Sequence, residues 1–301
     1  MFFNNRRQSP TAMLLAAFFV VVVPGCYMAH PALTPIEPSP AALGASNVQF
    51  ASRSGSTIHA WLARGRVGLG AVLILHGVGS NRTTMLARAE YLHDAGYTVL
   101  APDFQAHGES QGEHITFGAL ESRDAAAAFD FLRKEAPGER IGIIGVSMGG
   151  AAALLSSQPL APDALVLESV YPTISDALTD RLNVWFGPFA FLSAPVAPVL
   201  LKIIGADIGV DESQLRPIDH IADLKSPVLV VAGTDDRYTT IEEAETLYAR
   251  ARSPKSFWAV EGATHEDIYD YSPRDYQRVV GGFLSRYLRP RADTLAVTPE
   301  R

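Results

Sequence analysis

The chain has one cysteine, Cys26, so no internal disulfide can staple it. No cluster of basic residues appears in its body, and 25 Lys and Arg against 32 Asp and Glu leave a net charge of −7. The electrostatic footprint of a nucleic-acid binder is therefore missing. There is no internal repeat and no heptad run. His59, His93, His114 and His220 are scattered without ligand spacing, and His265-Glu266-Asp267 lacks the second histidine of a zinc H-E-x-x-H helix. The stretch from Gly65 to Gly70 is not a G-x-G-x-x-G after a strand. Neither a metal nor a nucleotide cofactor is implied.

What is present suits a globular body: 48% of residues are hydrophobic and 19% charged. Trimmed at both ends, a chain of about 250 residues reads more naturally as one α/β domain than as two. The first residues read as an export signal. Arg6 and Arg7 precede Thr11 to Val23, an apolar stretch of 13 residues. That is shorter than the roughly 20 residues a membrane span needs and fits a signal-peptide core. Cys26 follows at once, and its position resembles the lipobox of bacterial lipoproteins. The resemblance implies cleavage after residue 25, lipidation of Cys26 and attachment to a membrane of the bacterial cell envelope. Tyr27, where an aspartate would favour inner-membrane retention, points to the outer membrane. Residues 26–46, with Pro31, Pro35, Pro38 and Pro40, read as a tether without helical or strand period. Residues 289–301 read as a flexible tail.

From Asn47 to Leu288 strands and helices alternate. Val48 to Ser52 and Thr57 to Ala63 flank a Ser54-Gly55-Ser56 turn and read as an antiparallel hairpin. Ala71–Leu75 is a continuous apolar run, as expected for a strand covered on both faces, and Tyr97–Ala101, Arg140–Gly145, Ala164–Leu167, Val228–Val231 and Ser256–Val260 read as further strands. Helices are expected at Thr83–Asp94, Gly118–Glu135, Ile241–Ala251 and Pro273–Tyr287. The βαβα order predicts an α/β fold: a mostly parallel eight-stranded sheet with helices on both faces. Residues 170–225 break the rhythm. They carry Trp185, Phe186, Phe189, Phe191 and Leu192, and are expected to fold as short helices, either capping a substrate site or only packing on the core.

The most informative motif is Gly145-Val146-Ser147-Met148-Gly149, set between an apolar strand and the small-residue run from Gly150 to Ala153. A serine at the apex of a strand-to-helix turn, with glycines beside it, is the arrangement called a nucleophile elbow. Four more segments sit after predicted strands: Leu75-His76-Gly77-Val78-Gly79, Pro102-Asp103-Phe104-Gln105-Ala106-His107-Gly108, Gly233-Thr234-Asp235-Asp236 and Gly262-Ala263-Thr264-His265. Together they resemble the α/β-hydrolase superfamily, in particular its compact serine hydrolases with esterase, thioesterase or peptidase activity.

That resemblance implies a Ser-Asp-His triad of Ser147, Asp236 and His265, with Asp235 the competing acid. The family's acid usually lies three residues after the glycine, which selects Asp236. His265 would take the serine proton and later protonate the leaving group. The backbone N–H groups of Val78 and Met148 would form the oxyanion hole. His76, His107, Asp103 and Ser110 are expected to shape their loops. The expected reaction is cleavage of a small-molecule carboxylic ester with an apolar acyl group, with no cofactor. A peptidase or thioesterase on the same triad, and a catalytically silent envelope scaffold, are the alternatives.

Overall fold

The apolar runs become the strands of one sheet, and the two-residue period of a strand decides which side each residue faces. The computed structural model describes residues 28–36, 39, 41–157, 159–265 and 268–289. Its strands are β1 (Ser46–Ala51), β2 (Thr57–Ala63), β3 (Ala71–Leu75), β4 (Thr98–Pro102), β5 (Ile141–Val146), β6 (Ala164–Glu168), β7 (Val228–Gly233) and β8 (Lys255–Val260). They lie in the order β8-β7-β6-β5-β3-β4-β2-β1. From β8 to β4 every pairing is parallel, and β2 runs antiparallel to both β4 and β1. This is the mostly parallel eight-stranded sheet expected from the sequence.

The helices are α1 (Leu86–Asp94), α2 (Glu121–Glu135), α3 (Met148–Leu154), α4 (Ile174–Phe186), α5 (Ser193–Ile208), α6 (Ile241–Arg250) and α7 (Gly282–Leu288), with shorter turns between them. Ala71, Leu73 and Leu75 of β3 join a core with α2, α3, α4 and α6, while Val72 and Ile74 join a second core with α1 and α7. Helices thus cover both faces. Each leucine buried this way contributes about 1.5–3 kcal/mol relative to exposure.

Three boundaries differ from the sequence reading, each for a local reason. The helix expected from Gly118 starts at Glu121, because Phe117 and Gly118 have positive φ and the Glu121 carboxylate accepts N–H bonds from Thr116 and Gly118. The closing helix is interrupted by a wide turn at Gln277–Gly281. There the Tyr91 hydroxyl donates to the Gln277 carbonyl and crowds Gly281, where a Cβ would lie 1.9 Å from its oxygen. The helix expected from Thr83 begins as a 3-10 turn at Arg82–Met85 before α1.

The tether reading of residues 26–46 is corrected for residues 28–36. Ala29 is fully buried and its carbonyl accepts the Ile115 N–H at 2.8 Å. Ala32–Leu33 pair in parallel with His107–Gly108. Ala32 and Thr34 donate to the carbonyls of Ala106 and Gly108 at 2.7 and 2.9 Å. Pro31 and Pro35 flank this pairing, where an extended backbone is needed and no proline N–H is. At the other end, Arg289 donates to the Ala95 carbonyl at 2.9 Å and stacks over the Tyr97 ring. The signal-peptide and Cys26 readings, and the tail beyond Arg289, lie outside the described residues.

Residues 170–225 do form helices. Gly187, with φ 51°, ends α4, a 3-10 turn spans Gly187–Leu192, and α5 follows and ends at a left-handed Gly209. α4 and α5 pack on each other beside the C-terminal ends of the strands.

Candidate active site

Strand β5 runs straight into α3 through Ser147, and that reversal has no room for side chains. A Cβ on Gly145 would lie 2.5 Å from the Gly150 Cα, and one on Gly149 would lie 2.4 Å from the Leu75 carbonyl oxygen. Ser147 itself sits at φ 50°, ψ −118°, a conformation that costs roughly 1–3 kcal/mol for a residue with a side chain. Its neighbours hold it there: the Ser147 N–H donates to the Glu168 carbonyl at 2.8 Å, and the Gly150 N–H donates to the Ser147 carbonyl at 3.0 Å. The result aims a nearly buried hydroxyl, 3% exposed as a residue, at the end of the sheet.

Two loops after β7 and β8 meet that hydroxyl. His265 Nε2 lies 3.0 Å from Ser147 Oγ, and His265 Nδ1 lies 2.9 Å from Asp236 Oδ2. Asp236 is fixed in turn, since its Oδ1 accepts the N–H groups of Tyr238 and Thr239, both at 2.9 Å. With Asp236 ionised, Nδ1 carries the proton and Nε2 is free to accept from the serine hydroxyl. Asp235 stands apart: its N–H donates to the Ala263 carbonyl, and the residue lines the open mouth above His265. The structure thus gathers Ser147, Asp236 and His265 and leaves Asp235 outside.

The loop after β3 passes close over the serine, where a Cβ on Gly77 would lie 3.6 Å from the Ser147 Cβ. Val78 on this loop and Met148 at the start of α3 border one apolar cavity. Histidines shape the loop. His76 accepts the Phe104 N–H on Nε2 at 3.1 Å and donates from Nδ1 to the Gly77 carbonyl at 2.8 Å. Burial, then the nearby His107 and Arg82, push its pKa down to about 3, so the ring is neutral. His107 accepts the Gly79 N–H on Nε2 at 3.1 Å. Asp103 binds the Arg82 N–H at 2.8 Å, the Glu109 N–H at 3.0 Å and the Arg82 guanidinium. Ser110 joins Asp103 to His59. All four of these side chains brace loops.

The narrow cavity bordered by Val78 and Met148 is walled by Phe117, Tyr171, Ile174 and Leu178, with Leu201 and Ile204 from α5, and Glu212 at its edge. A wider mouth lies above it, bordered by Met28, Val184, Trp185, Tyr238 and His265. Arg181 reaches both spaces and stacks over the Tyr238 ring at 5.4 Å. The Tyr238 ring in turn meets His265 edge-on at 5.7 Å.

Sequence reasoning missed several of these residues. Glu168 supports the elbow from β6 and carries a buried carboxylate bound by Arg88 at 2.8 Å and by the Tyr276 hydroxyl. Its one visible signal was a charged residue ending an apolar strand. Arg181 showed only as a cation in an apolar segment, and Met28 only as part of a proline-bearing stretch. Among the described residues, no group of three or more His, Cys, Asp or Glu could hold a metal ion.

Residues 69–202 match the family described as serine aminopeptidase, S33. The chain is 28% identical over 220 residues to the uncharacterized protein YqkD of Bacillus subtilis, covering 71% of this chain and 70% of that protein. It is also 28% identical over 293 residues to the alpha/beta hydrolase domain-containing protein WAV2 of Arabidopsis thaliana, covering 91% and 90%. Among solved structures, the Pyrococcus furiosus esterase Pf2001 aligns with a TM-score of 0.69 at 25% identity, over 87% of this chain and 98% of that one. A thermophilic esterase from Thermogutta terrifontis shares the fold, with a TM-score of 0.58 at 20% identity over 81% and 99%. With this sheet order and this elbow, the chain has the α/β-hydrolase fold, and its matches are to hydrolases of that fold.

Proposed function

We propose that the protein is a serine esterase that cleaves carboxylic esters with an apolar acyl group through an acyl-serine intermediate. The observation that carries this is the hydrogen-bonded line Asp236–His265–Ser147, with His265 bordering the wide mouth and Val78 and Met148, on either side of the serine, bordering the apolar cavity. Ser147 Oγ attacks the ester carbonyl carbon as His265 Nε2 takes the hydroxyl proton. The oxyanion so formed is stabilised by the N–H groups of Met148 and Val78, an effect of about 3 kcal/mol per donor. The intermediate collapses, His265 returns the proton to the leaving alcohol, and the acyl group stays on the serine. A water then gives a proton to His265 and attacks the acyl carbonyl; the second intermediate collapses, releasing the carboxylic acid as His265 returns that proton to Ser147 Oγ.

The preference for an apolar acyl group is supported by the cavity wall, whose aliphatic and aromatic side chains exclude water around the acyl chain. The family match described as a serine aminopeptidase favours a second reading, a peptidase on the same triad. Asp235 in the mouth and Glu212 at the cavity are carboxylates that could receive a peptide's terminal ammonium, while the cation Arg181, which reaches both spaces, is of the opposite preference. A thioesterase would use the same groups. In this reading the protein is exported and held in the cell envelope by a lipid on Cys26.

Labelling with a fluorophosphonate, beside hydrolysis of p-nitrophenyl esters of graded chain length and of aminoacyl-nitroanilides, tests the proposal. The intact protein should label and turn over esters, and Ser147→Ala should do neither. Equal labelling of the two, or none of either, would leave the catalytically silent scaffold; preference for the anilides would favour the peptidase. Mass spectrometry of the mature N-terminus decides lipidation.

A further inference from the structure

The cap carries apolar surface that nothing in the described chain covers. Val184, Trp185, Phe189, Phe191, Leu192 and Val199 are all exposed, Phe191 to 74%. They lie on the end of α4, the Gly187–Leu192 turn and the start of α5. From Leu182 to Leu201 the chain has no charged residue, and the first charges on either side are the cations Arg181 and Lys202. Only 28% of the most apolar 18-residue window of Ile174–Ile208 is buried. A soluble domain rarely leaves a contiguous patch of this kind without a partner.

Two further observations say what the partner is. Val184 and Trp185 belong to the tip and also border the mouth above His265, so tip and entrance are continuous. Met28, the first described residue, lies in the same mouth. In sequence only Tyr27 separates Met28 from Cys26, a reach of at most about 7 Å. The apolar run Thr11–Val23 lies just before. Retained as an apolar run or replaced by a lipid on Cys26, the membrane-seeking end of this chain departs from the rim of the active site. Aromatic side chains at a tip, with cations at its base, suit the level of lipid headgroups and the phosphates beside them.

We infer that the cap tip is a membrane-docking surface, seated in the outer part of one leaflet, and that the ester reaches Ser147 from the lipid layer, which makes the substrate class a membrane lipid ester. The substrate clause rests on the serine esterase reading, and the docking clause does not.

Of the three tryptophans, Trp61 is buried in the core and Trp258 lies on β8 against Tyr276, at the edge of the sheet, so the change in emission that is lost in Trp185→Phe reports the tip. The full chain is incorporated into vesicles of phosphatidylcholine and phosphatidylglycerol with brominated acyl chains. Trp185 emission should fall by about half or more, and a Trp185→Phe chain should lack that component. The double variant Phe189→Glu, Phe191→Glu should lose the quenching and hydrolyse a long-chain ester carried in vesicles roughly tenfold more slowly or worse. Its hydrolysis of water-soluble p-nitrophenyl butyrate should match wild type. Unquenched Trp185, or equal vesicle rates for the two chains, would overturn the docking clause. A dimer in detergent that this double variant dissociates, with Trp185 unquenched, would assign the tip to a second copy instead. If wild type cleaves neither ester, the esterase reading fails while the quenching still decides docking.

Discussion

Asp236 Oδ2 stands 2.9 Å from His265 Nδ1, with Oδ1 at 3.2 Å from the same nitrogen and held by the N–H groups of Tyr238 and Thr239. The arrangement fixes both the tautomer and the tilt of the imidazole. Asp236→Asn should therefore lower kcat by roughly 10⁴-fold, because an amide can present its NH₂ to Nδ1 and turn the tautomer over. Asp235→Asn should change kcat by no more than about twofold, as a substitution outside the hydrogen-bonded line. Steady-state kinetics of the two variants on one ester separates these outcomes.

Gly149 has the Leu75 carbonyl oxygen where its Cβ would be, at 2.4 Å. Both are backbone groups of packed elements, so neither can step aside. Gly149→Ala should cost about 1–3 kcal/mol in urea unfolding. It should also lower kcat more than it raises KM, since the shift falls on the turn that aims Ser147 and the Met148 N–H. A variant as stable and as fast as wild type would mean that the elbow tolerates movement.

His76 sets an acid limit. Its folded pKa, pushed down to about 3 by burial and then by His107 and Arg82, lies below the unfolded value of about 6.5. The unfolded chain therefore binds more protons between those values, and stability is complete above pH 6.5 and lost as pH falls toward 3. Between pH 7 and pH 4.5 this group alone should remove about 2–3 kcal/mol. His76→Gln, which cannot titrate, should show a flatter stability profile over that range, read from urea midpoints at each pH.

Glu243 works in the opposite direction. Burial, then Asp180 and Asp176, push its pKa up to about 8, so the folded chain keeps a proton that the unfolded chain releases near pH 4.5. Stability from this group is present at low pH and lost as pH rises through 8. Glu243→Gln retains an oxygen for the Thr240 N–H, which the native carboxyl accepts at 3.1 Å. From pH 7 to pH 9 the wild type should lose about 1 kcal/mol or less that the variant keeps, measured by thermal melts.

The parts legible in the sequence are those whose information is contiguous. Ile141 to Gly150 spells a strand, a turn and a helix in one window, so the elbow could be read directly. The strands were legible because burial on both faces removes polar residues from runs such as Ala71–Leu75. What escaped depends on distant contacts. Glu168 matters because Arg88 lies 80 residues away in sequence and Tyr276 lies 108 away. The start of α2 moved because a carboxylate reaches back to two N–H groups, a pattern that composition does not display. Arg181 gained its place only when α4 laid it over Tyr238.

The pairing of Ala32–Leu33 with His107–Gly108 changes where the catalytic unit begins. Ala32 holds the Ala106 carbonyl, His107 holds the Gly79 N–H, and Gly79 is the next residue after Val78. These bonds link residues 32–34 to the loop that carries Val78. A cut at Asn47, where composition alone would place the domain edge, would leave the Ala106 and Gly108 carbonyls and the Ile115 N–H without their native partners. A pull applied at Met28 would load the Ala32–Leu33 pairing and, through His107, the loop that carries Val78.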